Sequence, residues 1–150
     1  MPAHSESRVV PYTAERMFAI VADVEKYPEF LPWCAGLRVL RREACDGVEI
    51  VIAEMLVGYK SLRERYTSRV VIDRAALTID TGQTEGVFRK LENHWRFTPL
   101  GDSCRVEFSI DFEFRSRLLA AVASAALGPV MMKMSQAFEA RARALSEKAL

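Results

Sequence analysis

The stretch RVEFSIDFEFR, Arg105 to Arg115, alternates almost without fault. Val106, Phe108, Ile110, Phe112 and Phe114 fall on one parity, and Arg105, Glu107, Asp111 and Glu113 on the other. A period of two belongs to a strand with one dry and one wet face, because a helix would scatter the same side chains around its circumference. Three bulky rings on one face of one strand cannot be left in water. The chain must therefore build an antiparallel sheet and cover one side of it.

The same pattern extends upstream. LRVLRRE (Leu37–Glu43) and VEIVIAEMLVGY (Val48–Tyr59) flank Asp46-Gly47, a strong two-residue hairpin signal. In LRERYTSRVVI (Leu62–Ile72), Leu62, Tyr66, Val70 and Ile72 share one parity, with Arg63, Arg65 and Arg69 on the other. ALTIDT (Ala76–Thr81) reads as a shorter strand, and FRKLENHWRFTP (Phe88–Pro99) as a longer one before the Gly101-Asp102 turn. SESRVV (Ser5–Val10) reads as a first strand closed by Pro11.

Two helical segments remain to supply the cover. TAERMFAIVADVEKY (Thr13–Tyr27) has Thr13 as N-cap, Glu15 in the first turn, and Met17, Phe18, Val21 and Val24 at helical spacing. From Ser116 to about Lys148 the chain is alanine-rich, with Leu119, Val122, Ala126, Val130, Met134, Phe138 and Leu145 as an apolar stripe. Gly128-Pro129 is expected to kink or divide that helix. Between the helices, KYPEFLPWC (Lys26–Cys34) packs two prolines and three aromatic rings into a loop, which is unusual for a surface connection.

Composition narrows the function. The 150 residues are expected to form one domain, residues 1–150, half of them hydrophobic and with a net charge of +1. That balance gives no electrostatic case for DNA or acidic lipid. The start MPAHSESRVV lacks the basic and apolar regions of a signal peptide. Cys34, Cys45 and Cys104 are odd in number and widely spaced, which argues for free thiols in a reducing cytoplasm and against a metal site. The uncharged run Leu118–Met132 would make about 22 Å of helix at ~1.5 Å per residue, short of the ~30 Å hydrocarbon core.

The order strand, helix, about six strands, long helix resembles the START/Bet v 1-like helix-grip superfamily. VADVEKYPEFLPWC (Val21–Cys34), AEMLVGYKSLRERYTSRV (Ala53–Val70), GVFRKLENHWRFTP (Gly86–Pro99) and VEFSIDFEF (Val106–Phe114) narrow it further. They are similar to the coenzyme Q-binding START-domain family, which includes ribosome association toxin-type proteins. The resemblance implies an α+β helix-grip fold: six to seven curved antiparallel strands around a long C-terminal helix, with short N-terminal helices. Where relatives often have Gly-Pro-Phe, this chain has Gly86-Val87-Phe88, which puts the rigid turn in doubt.

It also implies an apolar cavity between sheet and helix, with the loop after the first helix at its mouth. Tyr27, Phe30, Leu31 and Trp33 would then form an apolar rim; the rival reading makes Phe30 and Trp33 a plug on the end of the core. Candidate lining residues are Phe88, Leu91, Trp95, Phe108 and Phe112 from the strands, and Leu119, Val122, Val130, Met131 and Met134 from the helix. Tyr66 and Glu64 share the apolar parity of their strand. Glu64 could meet a quinone head group as a neutral acid, pair with Arg41, or be turned outward by a bulge after Gly58. His94 lies opposite in parity to Trp95 and is expected to be exposed.

The function so implied is non-enzymatic binding of a hydrophobic isoprenoid, above all ubiquinone, in support of respiratory electron transport or quinone delivery. Ubiquinone is then the ligand and no cofactor is required. Cytoplasmic residence with transient contact at the inner face of the membrane follows. Two alternatives stay open. One is a ribosome-binding regulator acting through Arg63, Arg65 and Arg69. The other is a polyketide cyclase/aromatase-like enzyme using Tyr66, Glu64 and Ser68.

Overall fold

The computed structural model describes residues 3–31, 33–59 and 62–148, with side chains except at 59, 62, 119, 122–132, 135 and 147–148. The strands are β1 (Ala3–Val10), β2 (Cys34–Cys45), β3 (Val48–Tyr59), β4 (Leu62–Asp73), β5 (Thr78–Gly86), β6 (Phe88–Leu100) and β7 (Ser103–Phe114). They form one antiparallel sheet in the order β1-β7-β6-β5-β4-β3-β2. Helix α1 (Ala14–Ala22) follows β1, and α2 (Arg117–Lys148) ends the chain. This is the helix-grip arrangement, and the alternation in β4, β6 and β7 dictates it.

Local signals explain most boundaries. Thr13 caps α1 by accepting a hydrogen bond from the Arg16 amide at 3.2 Å. Asp46 and Gly47 both have positive φ, as a tight two-residue hairpin requires. Three expectations change. The first helix does not run to Tyr27: it stops at Ala22, and Val24–Glu29 winds as a 3₁₀ segment containing Pro28. Proline disfavours an α conformation at the residue before it and has no N–H to give, which a segment of six residues absorbs less well than a long helix, so the tighter, short turn takes over. Next, α2 runs as one helix through Gly128-Pro129. One missing N–H removes a single bond from a helix of 32 residues, too little to divide it. Finally, β5 begins at Thr78 and extends to Gly86, because pairing with β4 continues past Thr81.

Cross-strand register sorts the inward side chains into rows. Glu6, Phe108, Trp95, Ile79 and Ile72 form one row, and His4, Ile110, Asn93, Thr81, Val70 and Val51 the next. Toward the far end lie Phe112 with Leu91, Phe114 with Phe88, Tyr66 with Met55, and Glu64 with Val57. The core sits at the near end. There Met17, Phe18 and Val21 of α1, with Phe138 and Ala142 of α2, cover Val10, Phe97, Val106, Trp95 and Phe108. Phe18 meets Phe97 edge-on at 6.0 Å, and Phe138 meets Trp95 at 5.0 Å.

Candidate functional site: the open half of the concave wall

The two ends of the concave wall differ in burial. Phe97, Val106, Trp95 and Phe108 are buried, whereas Ile110, Tyr66, Met55, Val57, Phe88 and Phe114 point to the same side yet stay only half-buried. Inward apolar surface left accessible at one end of the wall defines an open hollow. Leu91 and Phe112 are buried at its border.

Four rings furnish the hollow. Phe88 stacks on Phe114 at 4.9 Å and meets Tyr66 and Phe112 edge-on at 5.3 and 5.9 Å. The β5–β6 turn positions them. The Gln83 side-chain amide donates to the Phe88 carbonyl at 2.6 Å, and its oxygen accepts from the Phe88 amide at 2.9 Å. Arg115 adds hydrogen bonds to the Val87 and Gly86 carbonyls at 2.9 and 3.1 Å. Gly86 has φ +142°, and a Cβ there would lie 2.5 Å from Tyr66 Cβ, so glycine is required. A side chain thus supplies the rigidity that a proline at Val87 would have given.

Tyr66 donates its hydroxyl to Met55 Sδ at 3.3 Å. Burial, and secondarily the nearby Cys34 thiol, pushes the phenol pKa up, so Tyr66 remains a neutral donor. Burial likewise raises Cys34 to about 11, partly offset by a hydrogen bond from the Gly36 backbone. Cys34 and Cys104 are buried and Cys45 is exposed, all as free thiols.

Glu64 keeps the inward parity. The β3–β4 register runs without a shift through Gly58↔Arg63 and Val57↔Glu64, so no bulge turns it out. Arg41 is not its partner; it pairs with Glu43 on the surface at 3.1 Å, since its strand neighbour is far closer than the wall.

The aromatic loop divides. Phe30 and Tyr27 both meet Phe138 edge-on, at 5.3 and 5.4 Å, and the Tyr27 hydroxyl donates to the Val21 carbonyl. Arg141 lies over the Phe30 ring and pairs with Glu29 at 3.1 Å. Leu31 is buried in the core. These residues staple the loop to the C-terminal half of α2 in the manner of a plug. Half-buried Trp33 is held at the far end, where its carbonyl accepts from the Gly58 amide at 2.8 Å.

Of the other sequence candidates, Trp95 and Phe108 sit in the closed core, and Met134 packs against it. The side chains of Leu119, Val122, Val130 and Met131 lie outside the described residues. Sequence reasoning passed over His4, Glu6, Asn93, Thr81 and Gln83, all inward. The available signal was their parity with Val10 in β1, with Trp95 in β6, and with Ile79 in β5.

The opposite, convex face is polar. A shallow hollow of about 710 Å³ there is lined by Ser5, Ser7, Thr78, Asp80, His94, Arg96, Glu107 and Ser109, with Glu6, Trp95 and Phe108 also bordering it. Register sets Ser109, His94 and Asp80 side by side, and His94 Nδ1 meets Asp80 Oδ1 at 2.6 Å. So a His/Asp/Ser row exists that the sequence alone did not reveal. His94 and Asp80 are half-exposed, and among the described residues no hydrogen bond joins Ser109 to the ring. Arg65 and Arg38 on this face share Glu54.

Residues 10–139 match the family described as polyketide cyclase / dehydrase and lipid transport. The chain belongs to that family. Ribosome association toxin RatA of Escherichia coli K12 is 36% identical over 144 residues, covering 95% of this chain and 88% of that protein. Coenzyme Q-binding protein COQ10 homolog B, mitochondrial, of Xenopus laevis is 36% identical over 149 residues, covering 93% of this chain and 57% of that one. Among solved structures, an 18 kDa protein of Caulobacter crescentus superposes with a TM-score of 0.80 at 41% identity, covering 98% of this chain and 99% of its own. The START-type assignment made from the four motifs therefore stands, and with it the helix-grip fold. Among the described residues, no helix is long and apolar enough to cross a membrane.

Proposed function

We propose that this protein binds a hydrophobic isoprenoid, ubiquinone above all, in the open half of the concave wall and does no covalent chemistry on it. The observation that carries this reading is the inward, half-buried set Tyr66, Phe88, Phe114, Met55 and Val57, set against the buried rows beside it. Burying those side chains against an isoprenoid tail would contribute about 25 cal/mol per Å² of apolar surface removed from water. The Tyr66–Phe88–Phe114 cluster presents apolar ring surface on which an unsaturated isoprenoid tail packs. The relative named as coenzyme Q-binding, similar over 93% of this chain, supports the choice of quinone. So apolar a ligand is delivered through transient contact with a lipid surface.

Organic extraction of the purified protein followed by mass spectrometry tests the reading, together with titration of a short-tailed ubiquinone. A bound polyprenyl quinone, and binding lost in Leu91→Asp, are expected. A protein that carries none and does not bind the short-tailed ligand refutes it.

The relative named as a ribosome association toxin favours a second reading, ribosome contact through the convex arginines Arg63, Arg65 and Arg69. That reading requires salt-sensitive cosedimentation with ribosomes, weakened by arginine replacement and unaffected by Leu91→Asp.

A further inference from the structure

Where the wall begins to open, β1 sets two polar side chains inward. Glu6 lies opposite Phe108 and His4 opposite Ile110. His4 Nε2 meets Glu6 Oε2 at 3.1 Å, and the His4 ring lies 6.1 Å from that of Phe108. Both side chains are about one-quarter exposed, at 25% and 24%. The other carboxylate oxygen, Glu6 Oε1, is buried and has no hydrogen-bond partner among the described residues. The next inward residue on the strand, Arg8, is paired with Glu139 of α2.

The chemistry of the pair is one-sided. A carboxylate only accepts, so the shared hydrogen bond must come from His4 Nε2–H. In the neutral ring that leaves Nδ1 as an acceptor too. The terminal torsion of a glutamate is soft, so a rotation can turn either oxygen toward the hollow. His4 and Glu6 therefore offer a ligand acceptors and no donor. An unmet buried acceptor is costly, and a hydrogen bond to a charged one is stronger than to a neutral one.

We propose that Glu6, oriented by His4, is the head-group anchor of the hollow and selects the reduced ligand, the quinol, over the quinone. This rests on the isoprenoid-quinone reading above. The ring oxygens of a quinone accept hydrogen bonds, whereas a quinol carries two hydroxyl donors. Only the quinol can satisfy Glu6 Oε1. The quinone would set a carbonyl oxygen against a carboxylate. The protein transfers no electrons in this scheme; it binds one redox form better.

The test titrates short-tailed ubiquinol and ubiquinone, anaerobically, into the wild-type protein and Glu6→Gln. Wild type should bind the quinol at least tenfold more tightly. Glu6→Gln, which adds an amide donor at the same volume, should lose or reverse that preference. Potentiometric titration of wild-type protein loaded with the same quinone gives an independent readout. Each tenfold preference for the quinol raises the two-electron midpoint by about 30 mV relative to free ligand. Equal affinity for the two forms in wild type, an unshifted midpoint, or an unchanged ratio in Glu6→Gln overturns the anchor and leaves the isoprenoid reading standing. Failure of wild type to bind either form overturns both.

Discussion

One sheet carries two unlike regions. In the near half of the concave wall, Phe97, Trp95, Val106 and Phe108 are closed over by α1 and Phe138. In the far half, Phe88 and Phe114 of the same two strands, with Tyr66 of β4 and Met55 of β3, also face inward and are comparably hydrophobic, yet keep part of their surface. The strands do not make the difference; the cover does. Helix α1 packs against β5, β6 and β7, and its Met17, Phe18 and Val21 join the near-end core. The near half contributes stability, and the far half keeps inward apolar surface accessible.

That contrast can be broken by substitution. Phe97→Ala, in the closed half, should cost about 3–5 kcal/mol, read as a lower denaturant midpoint. A loss below 1 kcal/mol would mean the near half is not close-packed. Gly86→Ala, in the turn that frames the open half, should cost about 2–3 kcal/mol from strain at φ +142° and the approach to Tyr66. A variant as stable as wild type would show that the turn relaxes freely.

A pH titration sharpens the comparison where Cys34 and Tyr66 border the open half. Their protons are held more tightly in the folded chain than in the unfolded one, Cys34 up to about 11. Below the ordinary thiol pKa both states keep their protons and the contribution is fully present. As pH rises, the unfolded chain ionises first, so stability falls between roughly pH 9 and pH 11, by on the order of 2 kcal/mol from Cys34. Chemical denaturation across that range, with Cys34→Ala as reference, measures it; a flat profile contradicts the burial of Cys34.

Phe88→Ala should cost only about 1–2 kcal/mol of stability, less than Phe97→Ala, because its ring is not fully enclosed. Yet it should weaken isoprenoid binding at least tenfold. If instead it destabilises as much as Phe97→Ala and binding is retained, the two halves are one core. The smallest effect belongs to the convex face. Arg69→Ala should change stability by less than about 0.5 kcal/mol and leave quinone titration unaltered.

Alternation in β7 and β4, the Asp46-Gly47 hairpin and the Thr13 cap were legible because each depends on neighbours within a few residues. The split of the first helix at Asp23 was not, since a proline five residues on decides between α and 3₁₀ winding. The candidate site was legible as a face and not as a place. Parity put Leu91 and Trp95 on one wall, but could not tell that Trp95 lies under Phe138. Nor could it tell that Phe88, of the opposite parity in β6, is brought onto the same wall by the register shift between Phe88 and Lys90 and stays open.

The sequence by itself determined the strands, the hairpin, the long apolar helix and the family, because periodicity and turn chemistry are local properties of the chain. Tertiary structure decided which part of the wall is closed, that Phe30 staples the loop to α2, and that Glu6 faces inward with an unmet oxygen. Those outcomes depend on cross-strand register and on where two helices lie across a curved sheet. Contacts between residues a hundred positions apart set both, and no window on the sequence contains them.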